Sequence, residues 1–127
     1  MILLDTDVMI DYLRGFEPAK EWLESAREQE LGLPGLVVME LLQGCQNSRE
    51  QNNVEKSLSR FSIYWAEPEQ CEFALKRFAA YHLSHQLGLL DALIAATAIG
   101  VNAELATFNK KHYGVIKELK TIQPYKR

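Results

Sequence analysis

The chain is poor in the residues that staple or punctuate a fold: two cysteines, four prolines and seven glycines in 127 residues. Cys45 and Cys71 show neither CxxC nor metal-ligand spacing, which excludes a disulfide framework or a zinc knuckle and fits reduced thiols in a cytosol. The sequence shows no basic region or cleavage site after Met1, which argues against a signal peptide. No apolar run approaches the roughly 20 residues of a membrane span. Linkers, repeats and low-complexity segments are missing too, so one domain over residues 1–127 is expected. Positive charge is also in short supply. A net charge of −3 excludes a protein that grips nucleic acid by bulk electrostatics alone.

The charge is unevenly placed. From Leu105 onward, Lys110, Lys111, Lys117, Lys120, Lys126 and Arg127 face only Glu118, a balance of +5 that leaves −8 for the rest of the −3 total. A basic strip beside an acidic body suits a phosphate backbone held near a cation site, and it suits a solvated C-terminal segment equally well.

The run Ile2-Leu3-Leu4 has no polar alternation and reads as a central strand of a parallel sheet covered on both faces. It ends in Asp5-Thr6-Asp7, just before an apolar helix over Val8–Leu13. Periodicity then gives a helix from Glu17-Pro18 to about Glu28, a strand over Glu30–Leu33 and a helix from about Leu36 striped by Val37, Val38, Leu41, Leu42 and Cys45. A polar helix follows, capped by Ser48 and running to about Arg60. Phe61–Trp65 alternates as a third strand. The longest helix spans Glu67 to about His85, with Cys71, Ala74, Leu75, Phe78 and Tyr81 inward. Leu90–Ile99 is apolar nearly all round, as in a buried helix. Ala103–Thr107 is a fourth strand and Thr121–Gln123 a candidate fifth. Strands alternating with helices indicate an α/β fold with a mainly parallel sheet of four to five strands.

Four positions carry candidate chemistry. Asp5 stands at the carboxyl end of a strand, where ligands of open α/β sheets bind; it also suits a helix cap. Glu40 lies off the edge of an apolar helical stripe, at the rim of a cleft or facing solvent, with Gly44 giving room one turn on. Asp91 opens the buried helix, where burial of a carboxylate is costly without a cation or donors. Asn109 follows the fourth strand as Asp5 follows the first, and Asn is also a common turn residue. Three converging acids would raise one another's pKa. A divalent cation removes that penalty, and oxygen ligands select Mg²⁺ or Mn²⁺ over zinc. Metal-assisted phosphodiester hydrolysis is the chemistry that follows.

The stretches Leu3–Asp11, Met39–Gly44, Gly88–Ala98 and Ala106–Tyr113, in that order, resemble the successive motifs of PIN-domain ribonucleases, in particular the VapC-type toxins of toxin–antitoxin pairs. The resemblance covers essentially the whole chain. It implies a three-layer α/β/α fold, Mg²⁺- or Mn²⁺-dependent endoribonuclease activity in the cytoplasm, a homodimer, and a small antitoxin that joins it in a hetero-oligomer. Asp5, Glu40 and Asp91 match the family's acidic cluster, with Asp5 and Asp91 on the metal and Glu40 on it or deprotonating the attacking water. Asn109 matches a fourth position that is often Asp, which bears on a second metal. Thr6 is expected to orient Asp5 through its hydroxyl, the extra acid Asp7 to tune metal affinity, and Lys110 and Lys111 to touch the RNA backbone without reading sequence.

Two other readings compete. A PIN fold that binds RNA or a partner without cutting is one. The other is a haloacid-dehalogenase-like phosphatase, which Asp5-Thr6-Asp7 fits but which needs a lysine and a further acidic pair that Thr107 and Lys110 do not supply. His82 and His85 read as surface or interface residues, Asp11 and Arg14 as an i, i+3 surface pair, and Trp22, Tyr64 and Trp65 as core or dimer contacts.

Overall fold

The computed structural model describes residues 1–127. Five strands build one sheet: β1 (Ile2–Leu4), β2 (Leu31–Pro34), β3 (Ser62–Tyr64), β4 (Glu104–Ala106) and β5 (Thr121–Ile122). Their spatial order is β3-β2-β1-β4-β5 and every neighbouring pair is parallel. Helices flank the sheet: α1 (Thr6–Leu13), α2 (Glu17–Ser25), α3 (Gly35–Gln43), α4 (Ser48–Leu58), α5 (Pro68–His85), α6 (Leu89–Gly100) and the single turn α7 (Lys110–Tyr113). This is the α/β architecture expected, with the fifth strand present.

The order explains where a site belongs. The chain grows outward from β1 through β2 to β3, then crosses back to lay β4 on the other side of β1. A parallel sheet whose winding reverses leaves a crevice beyond the carboxyl ends of the two strands at the reversal. Here those strands are β1 and β4, paired with Leu4 opposite Ala106, so Asp5 and Thr107 emerge side by side.

Leu3, Leu4, Leu33 and Leu105 on the strands, Val8 and Met9 on α1, and Ile94, Ala95 and Ala96 on α6 are fully buried. Leu3-Leu4 is a run buried on both faces, as its lack of alternation requires. The small side chains of α6 let that helix lie in the core while α5 packs along it.

Several boundaries differ from expectation for identifiable reasons. Pro34 belongs to β2, whose backbone it extends before Gly35 starts α3 at once. Helix α2 stops at Ser25, and the Ser25 hydroxyl donates to the Trp22 carbonyl. Asn47, not Ser48, caps α4, its side chain accepting the Glu50 N–H at 2.8 Å. On α5 the inward face is narrower than periodicity indicates: Ala74 is buried, whereas Leu75 is 61% exposed and Cys71 is exposed. Asp11 does not pair with Arg14. Its carboxylate accepts instead from the Tyr125 hydroxyl at 2.8 Å and from Arg127 Nε at 3.0 Å. That pair straps the C-terminal segment over α1, with the Arg127 guanidinium 4.3 Å from the Phe108 ring centre. Trp22 and Tyr64 pack against the core, while Trp65 is 58% exposed.

Truncating Leu3, on the central strand of the sheet, removes a fully buried side chain. Leu3→Ala should destabilise by about 2–5 kcal/mol, read as a lower urea midpoint at unchanged slope.

A candidate acidic active site

Asp5 follows β1 in extended conformation and caps α1. Its Oδ1 accepts the Thr6 N–H at 2.9 Å and its Oδ2 accepts the Thr107 hydroxyl at 2.7 Å. Capping and membership of a site therefore coexist in one carboxyl. Thr6 thus holds Asp5 with its backbone N–H and not with the hydroxyl expected to do so; that hydroxyl donates to Glu40 Oε1 at 2.8 Å, which ties α1 to α3 and sets Glu40 within one residue's reach of Asp5. Asp7 is also drawn in. Its Oδ2 accepts the Phe108 N–H at 2.9 Å and its Oδ1 the Val8 N–H at 2.8 Å. The Thr107 hydroxyl also lies 3.4 Å from Asp7, but its single proton serves the closer Asp5 oxygen.

Asp91 stands in the first turn of α6, where its Oδ2 accepts the Gly88 N–H at 3.2 Å. A Cβ on residue 88 would sit 2.9 Å from that oxygen, so glycine makes room for the carboxylate. His112 Nδ1 is 3.8 Å from the same oxygen. Beside both acids lies Tyr113, 1% exposed, whose buried hydroxyl faces Asp5 without closing a well-formed hydrogen bond. Its strongest electrostatic neighbours are Asp5 and then Asp91. It is a donor held ready beside two carboxylates.

The electrostatics follow from burial. Desolvation, and then the neighbouring charge of Asp7, push the Asp5 pKa up to about 6, against the opposing interactions with the Thr107 hydroxyl, the Thr6 N–H and the Tyr113 hydroxyl. Burial also raises Asp7, while the Phe108 and Val8 N–H groups and the Arg127 charge hold it down. Burial and the surrounding acids raise Tyr113, so it remains a protonated donor. Two neighbouring acids that both resist ionisation form a site short of positive charge.

The acids are adjacent but not gathered. No three His, Cys, Asp or Glu side chains stand close enough together to hold a metal ion, because Thr6 lies between Asp5 and Glu40 and Tyr113 beside Asp5 and Asp91. The donor set is nevertheless the right one for a hard cation: carboxylate oxygens, a buried hydroxyl and raised acid pKa values. Mg²⁺ keeps several waters and needs only about one or two protein carboxylates, so side-chain rotation about this frame fits it. Asn109 contributes its backbone N–H to Thr107 Oγ1 at 3.0 Å; its side chain makes no hydrogen bond to the acids. Lys110 and Lys111 are exposed on α7.

Two participants escaped the sequence reading. Thr107 was legible in principle, since it follows β4 in the register in which Asp5 follows β1. Tyr113 was not, because a four-residue helix has too little length to display a periodicity.

The profile of the PIN domain family matches residues 2–118. The chain belongs to the PIN domain family. Among curated relatives, this PIN domain is 37% identical over 122 residues to Ribonuclease VapC10 of Mycobacterium tuberculosis, covering 94% of this chain and 91% of the relative. Ribonuclease VapC19 of the same organism is 35% identical over 125 residues, with 94% and 97% covered. Among solved structures, a toxin–antitoxin complex from Klebsiella pneumoniae superposes with a TM-score of 0.80 at 28% identity over 100% of both chains. VapBC-1 from nontypeable Haemophilus influenzae gives 0.77 at 25% identity, covering 96% of this chain and 97% of that one. These matches place the chain in the VapC branch and set the phosphatase reading aside.

Because the folded-state pKa of Asp5 lies above its unfolded value of 3.8, the native state binds that proton more tightly than the unfolded chain does. Stability from this group is present below about pH 4 and lost as pH rises towards 6, by roughly 3 kcal/mol in all. Asp7 adds in the same direction. Urea unfolding of the metal-free PIN domain should therefore show a fall across pH 4–6 that Asp5→Asn flattens, leaving the variant the more stable at neutral pH.

Proposed function

We propose that this PIN domain is a metal-dependent endoribonuclease, the toxin of a VapBC-type pair, acting in the cytoplasm and held in check by a small antitoxin protein. The observation that carries the reading is the buried Asp5 carboxyl at the β1/β4 crevice, linked through Thr6 to Glu40 and flanked by Tyr113 and Asp91. The ribonuclease names of its relatives and the toxin–antitoxin complexes among its structural neighbours support it. No helix is long and apolar enough to cross a membrane.

Asp5 and Asp91 would hold Mg²⁺ or Mn²⁺, with Glu40 beside them; when bound, the cation polarises the phosphodiester and acidifies water. Glu40 accepts the proton of the attacking water, and the Thr6 hydroxyl fixes its carboxylate for that role. The Thr107 hydroxyl and Thr6 N–H hold Asp5 in one orientation. In-line attack leaves 5′-phosphate and 3′-hydroxyl ends. Asp7 adjusts the charge of the cluster from its place on the Phe108 N–H. Asn109 sits at the mouth as a neutral residue, which favours one cation over two. Lys110 and Lys111 approach the RNA backbone from α7. The rival reading, a PIN fold that binds without cutting, draws on the ungathered acids.

The same reading includes a homodimer. Leu75 and Leu89 are each 61% exposed, and with Phe78 and Leu93 they line an all-apolar depression between α5 and α6. Monomers seldom expose such a patch without covering it.

Purified protein should convert a small-RNA pool to discrete fragments in Mg²⁺ or Mn²⁺ and not in EDTA. Asp91→Asn should lower the rate by at least about a hundredfold, as loss of a group stabilising the transition state does. Intact RNA under every metal condition, with folding and metal binding confirmed, would favour the non-catalytic reading. Separately, Leu75→Glu with Leu89→Glu should sediment as a monomer; an unchanged dimer would place the interface elsewhere.

A further inference from the structure

A cleft of about 460 Å³ opens directly from the acidic site, with Thr6 and Glu40 lining both. This lies within the size range of small-molecule sites, about 300–1,000 Å³. Its apolar walls come from three helices: Leu13 on α1, Leu41 on α3 and Val54 on α4. Around them stand Arg14, Glu50 and Asn53. Arg14 has no ion pair or hydrogen bond, Asn53 has no hydrogen bond, and Glu50 accepts only a long 3.4 Å contact from the Gln46 N–H. Arg14, Glu50 and Asn53 are exposed on the rim, so apolar walls meet free hydrogen-bonding groups there, an arrangement that fits a flat heterocycle with a hydrogen-bonding edge.

Resting on the nuclease reading, we infer that this cleft receives one nucleobase of the RNA next to the scissile phosphate and selects guanine. Guanine presents an N1–H and N2–H pair that a carboxylate accepts, beside an O6 that an arginine serves. Glu50 and Arg14 supply that complement. Adenine would set its N6 amino group against Arg14, and the pyrimidines fill the apolar walls less completely. The assignment also answers how an acidic protein holds RNA near its carboxylates: part of the binding comes from burying a base against the aliphatic walls and from edge contacts.

Gly44 makes the test clean. It lines the cleft, its φ of −74° is open to any residue, and a Cβ there meets nothing nearer than 3.6 Å. Gly44→Leu should fill the space without straining the backbone. The binding of labelled single-stranded hexaribonucleotides, oligo-A with or without one guanine, is measured by anisotropy in EDTA, where cutting is suppressed. The guanine-containing hexamer should bind wild type about tenfold more tightly, as one base-edge pairing discriminates. Glu50→Gln should erase that preference, and Gly44→Leu should lose it with an unchanged thermal melt. In Mg²⁺, mapped cleavage sites should cluster beside guanine and lose that bias in Glu50→Gln.

Equal binding of both hexamers, no binding of either, or a preference that survives both substitutions would overturn the assignment and leave the cleft to a protein partner. Metal-dependent cutting that is indifferent to guanine would sink the subsite while sparing the nuclease. Guanine-selective binding without any cutting would do the reverse.

Discussion

The carboxyl of Asp5 is held at the one place in the sheet where the winding direction reverses, between the Thr6 N–H and the Thr107 hydroxyl. Almost everything around it is shaped by the cost of keeping it there. Desolvation and Asp7 push its pKa up to about 6, and the threonines supply only part of what water would. Thr6 passes the constraint to Glu40, Thr107 takes the Asn109 N–H, and Tyr113 turns its buried hydroxyl towards Asp5. The fold is spending stability at a single point, as sites built for a cation or an anionic transition state do.

In the proposed reading, chemistry and specificity divide between two neighbouring regions. The β1/β4 crevice carries buried acids, while the cleft under α1, α3 and α4 offers apolar walls with exposed polar groups on its rim. Glu40 and Thr6 belong to both. A substrate seated by its base in the cleft would bring its phosphate to the acids, so recognition and reaction would be coupled through the same pair of residues. The C-terminal strap, Tyr125 and Arg127 on Asp11, closes the opposite side of α1 and contributes positive charge near Asp7.

Much of this was legible in the sequence, and the reasons are specific. Ile2-Leu3-Leu4 and the apolar Leu89–Gly100 region signal burial through missing polarity, a pattern that does not depend on tertiary detail. Asp5 and Asp91 announce themselves as carboxylates adjoining buried elements. Helical geometry left Glu40 at a cleft rim or facing solvent, and only the fold sets it in the lining of a cleft. What stayed hidden depends on contacts distant in sequence. The pairing of Asp11 with Arg127 spans 116 positions, and no local rule prefers it over the nearby Arg14. The exposure of Leu75 is set by which face of α5 meets α6, which the periodicity of α5 alone does not fix. Tyr113 looked like an ordinary aromatic until the fold set its hydroxyl beside two acids.

Mn²⁺ binding by titration calorimetry, run near pH 6 in buffers of differing ionisation enthalpy, goes to the centre of the account. A cation entering at Asp5 must displace the proton that burial holds there. The account predicts saturable binding with a substantial fraction of a proton released near pH 6, little released near pH 8, and weak binding in Asp5→Asn. Binding that releases no proton near pH 6, or that Asp5→Asn leaves intact, would contradict it.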